Sequence, residues 1–298
     1  MSSNNESEPA VVPRRKFLRN AALGTVSAAA AAFLYTWRIE PHWVELVERE
    51  LPVVHLPPAL EGKTLVQLSD LHIGRLVDDD YLRSCFESVA ALEPAIVVVT
   101  GDWMSCESAE EVDHAARLLE HLKPAALATL GITGNHDYGR GWRNENVADN
   151  LERRLSQLGI RLLRNDSATV AGLRFVGLED FWSPRFSARQ AAGLLADGPT
   201  DPTVVLCHNP DVCDLSCWGD FQGWILAGHT HGGQCKPPFL PPPLLSVKNR
   251  RYTYGEFDLA PGRNLYVHRG VGYLKRVRFN MRPEITAFTL RTTKSLDA

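Results

Sequence analysis

Five times along the chain a short apolar run stops abruptly at a cluster of aspartate, asparagine, histidine or glycine. The runs are Thr64 to Ser69, Ile96 to Thr100, Ala126 to Ile132, Thr203 to Cys207 and Trp224 to Ala227. They have the length and apolar character of buried strands. Between them, Asp79 to Glu93 carries Tyr81, Leu82, Cys85, Phe86, Val89 and Leu92 at helical spacing, and Val112 to Leu122, Val147 to Leu158 and Ala188 to Leu195 read as further helices. Leu173 to Leu178 adds a strand, and from Tyr252 onward the pattern is strand only, including Asn264 to His268 and Ile285 to Leu290. Strands alternating with helices predict an α/β fold with helices outside the sheets, a mixed sheet or two-sheet sandwich rather than a closed barrel. Polar clusters at strand ends lie where open α/β sheets present their ligand sites.

The 298 residues suit one large domain or two small ones, and a 44% hydrophobic content excludes wholesale disorder. With 32 Lys and Arg against 35 Asp and Glu, the net charge of -3 offers no global basic field, so nucleic acid is not an expected partner. Six cysteines, at 85, 106, 207, 213, 217 and 235, are too sparse for a disulfide scaffold and read mainly as buried apolar thiols.

The polar clusters carry the chemistry. In order they are Ser69-Asp70-Leu71-His72, Thr100-Gly101-Asp102, Thr133-Gly134-Asn135-His136-Asp137, Cys207-His208-Asn209-Pro210 and Gly228-His229-Thr230-His231-Gly232-Gly233. Singly, most have an ordinary reading as a cap, a turn or a strand-end histidine. The last is more specific, because flanking glycines let the backbone bend tightly and approach a ligand. Imidazoles mixed with carboxylate and amide oxygens form a ligand set for Zn, Mn or Fe rather than for calcium or a thiolate site.

Taken together and in this order, the five clusters resemble the calcineurin-like metallophosphoesterases, over roughly residues 60 to 292. The resemblance implies a four-layer αββα sandwich with a centre of two divalent metal ions at one end. It also implies that Asp70, His72 and His231 hold one ion, that Asn135, His208 and His229 hold the other, and that Asp102 bridges them. His136 and Asp137 would be the catalytic pair, with His136 the imidazole that stabilises the phosphate or protonates the leaving oxygen. The implied activity is a metal-dependent phosphodiesterase using hydroxide held by the dinuclear centre. Its expected substrate is a phosphodiester or pyrophosphate, with lipid-linked sugar nucleotides such as UDP-2,3-diacylglucosamine associated with this branch. The alternative is an envelope protein that binds metal and phosphate without turnover.

Three rival readings are weaker. Gly228-His229-Thr230-His231-Gly232 has the outline of a nucleophile elbow, but its centre is threonine. Cys207 and His208 are adjacent on a strand and point to opposite faces, which separates thiol from imidazole. Cys207, Cys213, Cys217 and Cys235 as a structural zinc site lack a Cys-x-x-Cys pair.

The N-terminus reads as an address. Arg14-Arg15-Lys16-Phe17-Leu18-Arg19 precedes an uncharged, alanine-rich stretch from Ala21 to Trp37. This resembles a twin-arginine export signal, implying the twin-arginine machinery as a partner and a periplasmic or envelope location. The stretch also reaches the lower length for spanning a bilayer, so cleaved and anchored forms both stay open. The expected organisation is a signal or anchor at 1–37, a linker at 38–58, the catalytic domain at 59–292 and a tail at 293–298. The proline-stiffened run Cys235 to Leu245 cannot be a central strand. Its Phe239, Leu240, Leu244 and Leu245 suggest a lipid contact beside the site, against the plain reading of a packed loop. Trp103 is expected in the pocket wall, and Lys236, Arg250, Arg251, Arg269, Lys275 and Arg276 offer charges for a second phosphate.

Overall fold

The computed structural model describes residues 13–105, 110–196, 201–260 and 262–294. Cys106 and the outermost residues of the signal and tail readings therefore lie outside the described residues. Helix α1 (Arg14–Leu34) leads through a turn to β1 (Glu45–Val54), β2 (Thr64–Leu68), α2 (Asp79–Ala91), β3 (Ile96–Thr100) and α3 (Glu110–Leu119). Next come β4 (Ala128–Ile132), α4 (Glu145–Gln157), β5 (Ile160–Leu162), β6 (Asp166–Val170), β7 (Leu173–Gly177) and α5 (Ala188–Leu195). Strands β8 (Thr203–Leu206), β9 (Gly223–Ala227), β10 (Gly255–Ala260), β11 (Arg263–Val267) and β12 (Glu284–Thr293) complete the chain.

The strands form two six-stranded sheets, ordered β1-β12-β2-β3-β4-β5 and β10-β11-β9-β8-β7-β6. Alternation within each apolar run explains how the sheets stack. On β3, Ile96 and Val98 enter the core between the sheets, while Val97 and Val99 face the layer of α2, α3 and α4. On β8, Val204 and Leu206 meet the same central core and Val205 turns outward to the layer holding α5, Trp218 and Phe221. A strand covered on both faces has no solvent side, which is why these runs are continuously apolar rather than alternating. The result is helix, sheet, sheet, helix, as the resemblance implied.

Strands β2, β3, β4 and β5 run parallel, as do β7, β8, β9 and β11. The carboxyl ends of β2, β3 and β4 in one sheet and β8 and β9 in the other converge on a single edge of the sandwich, bringing all five polar clusters together.

Residues 45–54, expected as linker, instead form β1, which pairs in parallel with β12 along its whole length. Only Leu51 and Val53 of this strand are buried, so its pattern carries little periodic signal. Its partner lies at the far end of the sequence, beyond the reach of any local pattern. Leu51 is fully buried in the inter-sheet core and Trp224 Nε1 donates to Pro52 O at 2.7 Å. Leu51→Ala should cost about 2–5 kcal/mol in urea unfolding. Leu46→Ala, at a position 48% exposed on the same strand, should shift stability by less than about 0.5 kcal/mol.

Candidate metal centre

After β2, β3 and β9 the chain turns sharply. Asp70, His72, Asp102, His229 and His231 have φ of 52°, 49°, 54°, 71° and 50°, all in the left-handed region that non-glycine residues rarely enter. Such conformations cost of order 1–3 kcal/mol each and persist where the surroundings over-determine them. Here they are over-determined by cross-strand hydrogen bonds: Asp70 N donates to Gly101 O at 2.9 Å and His72 N to Asp102 O at 3.0 Å. Gly228 is required by close approach, since a Cβ there would run into Ser69 Oγ and stand 2.5 Å from Asp70 Oδ2.

The side chains then meet. His231 Nε2 lies 3.3 Å from Asp70 Oδ1 and 3.0 Å from His72 Nε2. His208 Nε2 lies 3.2 Å from both Asp102 Oδ2 and His229 Nδ1. Asp102 stands between the two sets, because the same Oδ2 is 3.6 Å from His72 Nε2. Asp70, His72 and His231 form one group able to hold a cation, and Asp102, His208 and His229 form another. His72, Asp102 and His136 form a third overlapping group.

Hydrogen bonding identifies the nitrogens that are free to act as ligands. His208 Nδ1 donates to Thr100 O at 2.8 Å, and His229 Nε2 donates to Ser246 O at 3.2 Å. Carbonyls only accept, so in the neutral rings the facing nitrogens, His208 Nε2 and His229 Nδ1, are left with their lone pairs directed at one another. Two lone pairs at that distance repel unless a positive charge lies between them. Asn135 Oδ1 and His231 Nδ1 are buried and unpartnered. Nitrogen and oxygen donors of this kind, oriented from behind by backbone carbonyls, fit a Zn, Mn or Fe centre.

The electrostatics agree. Burial would raise Asp70, but His231, His208 and His72 around it hold its carboxyl well below the usual range. Asp102 behaves likewise: burial opposes ionisation, and His208 and His136 override it. Burial also opposes protonation of His208, yet Asp102 and Asp70 push this imidazole well up, a pull on positive charge at Nε2 that either a proton or a cation answers. Burial and the neighbouring charge of His208 depress His229 to about 3.

His136 sits half-buried at the rim, its ring edge-on to His72 at 5.0 Å between centroids. Its backbone N–H donates to Asp102 Oδ1 at 2.8 Å. Asp137, expected as its catalytic companion, is fully buried and employed otherwise. Its oxygens accept from Gly134 N at 2.8 Å and Met104 N at 3.2 Å, bracing the turn after β4 against the turn after β3. Burial and the charge of Asp102 raise its carboxyl well above the usual range.

Other expectations are redistributed. Trp103 is wholly buried beneath the site, with Nε1 donating to Ile132 O at 2.8 Å, because the small Gly131 opposite leaves room for its ring. The exposed wall is built by Trp142 and Trp182, stacked at 5.1 Å, with Trp182 meeting His229 edge-on at 4.5 Å. Trp182 N donates to Asp180 Oδ2 at 2.8 Å, and burial, opposed by His208 and joined by Asp102, pushes that carboxyl up to about 7. Nothing local marks Trp142 and Trp182 beyond aromatic residues in loops that follow β4 and β7. Arg269 pairs with Glu284 and Glu45 and so is structural. Thr230 Oγ1 donates to Thr253 O, which removes it as a nucleophile. Cys207, Cys213 and Cys217 are buried free thiols packed in the outer core, and among the described residues no cysteine joins a metal-holding group.

One further residue shapes the site from below. Arg278, fully buried, donates to the carbonyls of Arg269, Gly270, Gly272 and Met281. The loop it grips presses Val271 N onto Ser69 O at 2.9 Å and Gly272 N onto Asp70 O at 2.8 Å.

A family model described as Calcineurin-like phosphoesterase matches residues 63–233, more than half of the chain. Phosphodiesterase YaeI of Escherichia coli is 29% identical over 94% of this chain and 100% of its own length. UDP-2,3-diacylglucosamine pyrophosphatase LpxG of Chlamydia trachomatis is 28% identical over 88% of this chain and 94% of its own. The uncharacterized metallophosphoesterase YkuE of Bacillus subtilis is 28% identical over 94% and 98% respectively.

Mn(II) or Zn(II) added to chelator-treated protein at about 100 times its dissociation constant should stabilise the fold by about 2.7 kcal/mol, raising the melting temperature by several degrees. His229→Ala should abolish most of that rise. His136→Ala should retain it, and loss of the rise there would make His136 a ligand.

Proposed function

Because the chain belongs to the calcineurin-like phosphoesterases, hydrolases of phosphoric ester bonds, we propose that it is a phosphodiesterase working through two divalent ions at the edge where the sheets meet. The observation that supports this most directly is the pair of buried imidazole lone pairs, His208 Nε2 facing His229 Nδ1, beside the Asp102 carboxylate. In this reading Asp70, His72 and His231 would hold one ion, Asn135, His208 and His229 the other, and Asp102, whose Oδ2 faces His72 and His208 alike, would serve both. When bound, such ions supply Lewis-acid charge for the phosphate oxygens and make water acidic enough to attack at neutral pH.

The protein's own contributions follow from position. Thr100 O and Ser246 O fix the ring orientations of His208 and His229, so the donor set is assembled before substrate arrives. Asp102 Oδ1, by accepting from His136 N, places that imidazole at the rim. There His136 gives a proton from its ring nitrogen to the departing oxygen, while Asp137 braces the turn that carries it. Trp142 and Trp182 close one side, so substrate enters along the opposite rim.

The substrate class proposed is a phosphodiester or pyrophosphate carrying a lipid, by analogy with the relative named for UDP-2,3-diacylglucosamine and with the one named a phosphodiesterase. The protein acts outside the cytoplasm, delivered by the twin-arginine machinery through the Arg14-Arg15 signal and held at the envelope by the helical run Arg14–His42, which is long and apolar enough to cross a membrane.

The full chain should hydrolyse bis-p-nitrophenyl phosphate with Mn(II), lose this with chelator and regain it on Mn(II) addition. A folded, metal-loaded protein that turns over neither this ester nor any lipid diester would instead be a phosphate-binding protein. Asp102→Asn should lose activity beyond the roughly 10- to 100-fold typical of an outer-shell partner, with its fold intact by circular dichroism. His136→Ala should lose about 10²–10⁴ on alkyl diesters and far less on nitrophenyl esters, whose leaving group needs little protonation. Equal losses on both would remove His136 as the acid.

A further inference from the structure

We propose that the proline-rich loop from Cys235 to Leu245 is a membrane-docking element that seats the rim of the metal centre on an anionic lipid surface, beside the point where α1 enters it. The inference stands apart from the catalytic reading, since docking is measured without substrate.

Four observations converge. The loop exposes its large apolar side chains instead of packing them: Phe239 is 102% exposed, Leu240 60% and Leu244 77%. Contiguous exposure of this kind marks an interaction surface. The loop is also held in that posture, since Pro242 is buried against Gly233 and Phe239 adopts a left-handed φ of 64°. The proline-fixed backbone leaves little freedom for the tip to fold back onto the body.

The second observation is where the loop is rooted. Lys236 N donates to Phe279 O and Phe279 N to Gln234 O, both at 2.9 Å, while the preceding Arg278 N donates to Thr36 O at 3.0 Å. One strand-like segment therefore carries the root of the loop on one side and the end of the α1 segment on the other, about two strand spacings or roughly 10 Å apart. None of the 21 residues of helix α1 is buried against the domain, and the helical run that it opens, Arg14–His42, is long and apolar enough to cross a membrane.

Charge supplies the third. Exposed Lys275, half-buried Lys236 and half-buried Arg276 flank these roots, and the Lys275 and Val277 carbonyls accept from Gln234 Nε2 at 3.0 and 2.9 Å. An apolar tip above a basic collar is complementary to acyl chains beneath anionic headgroups. The fourth is the loop's other end: Ser246 O accepts from His229 Nε2, and Ser246 Oγ donates to His229 O at 3.0 Å. A surface that seats the loop therefore lies next to a candidate ligand of the centre.

The test places a fluorescent reporter in the loop of the full chain. Phe239→Trp and Leu127→Trp chains, the latter at an exposed position just before β4 and so at the opposite edge of the sheet, are reconstituted into phosphatidylglycerol–phosphatidylcholine vesicles. The signal is the difference from the unsubstituted chain. Trp at 239 should lose about half of its added fluorescence to lipids brominated on their acyl chains, as expected for a side chain buried roughly 5–10 Å into the interface. Trp at 127 should be unaffected and remain open to aqueous iodide. Leu244→Trp provides a second probe should the first variant fold poorly. Iodide access at 239 and 244 equal to that at 127, with no bromolipid quenching, would overturn the proposal. Shielding that appears in detergent without lipid and grows with protein concentration would overturn it in favour of a second copy. Turnover of soluble bis-p-nitrophenyl phosphate, measured separately, reports on the catalytic reading alone.

Discussion

Two ionised carboxylates buried among imidazoles are the interaction to which the rest of the architecture answers. Asp70 and Asp102 have lost nearly all contact with water. Their charge is balanced by His231, His208 and His72 and by backbone donors, with His229 N on Asp70 at 3.0 Å and His136 N on Asp102 at 2.8 Å. Most of these partners come from across the sandwich or from another strand end. The cluster therefore ties the sheets at one edge: Asp70 belongs to the first sheet and His229 to the second, and His208 of the second reaches Thr100 O of the first. Gln67 adds an uncharged tie, donating to Thr100 Oγ1 and Ala227 O. Elsewhere the sheets meet mainly through aliphatic and aromatic side chains, with polar ties from Trp224 Nε1 to Pro52 O and from Tyr266 Oη to Glu284 Oε1.

That division of labour explains the backbone. A pair of sheets packed on an apolar core is tolerant of small shifts, whereas donors aimed at a common point are not. The left-handed turns at Asp70, His72, Asp102, His229 and His231 convert strand ends into aimed side chains, and neighbouring loops hold the strain in place. Arg278 does this for Asp70 by gripping the 269–272 loop. Glu179 does it on the far side, accepting from Thr133 Oγ1 at 2.9 Å and Arg164 Nε at 2.8 Å beneath the turn that carries Asn135 and His136.

The strands and clusters that build the centre were legible because each is local. An apolar run of five residues followed by Asp, His or Gly-Asp needs no distant partner to be noticed, and the order of the five clusters supplied the rest. What was not legible depends on distance. Strand β1 is solvent-facing over most of its length and becomes a strand through β12. Trp142 and Trp182 come from separate loops and acquire meaning only when stacked, while Trp103, adjacent to Asp102 in sequence, is drawn inward by the space over Gly131. Asp137 looks catalytic beside His136, yet successive side chains in a tight turn diverge, and its oxygens serve backbone amides.

The position of β12 sets the order of assembly. The last strand of the chain lies between β1 and β2, the first two, so the first sheet has a gap one strand wide until the final residues are available. Neither β1 nor the outer edge of β2 can complete its ladder before then, and the 269–272 loop that presses on Asp70 is made almost as late. Pairings this far apart in sequence are the slow step in folding, because chain closure must precede any reward from contact. A ribosome that has not yet delivered β12 therefore carries a half-built sandwich with an open edge, and the first sheet closes only once that strand has emerged.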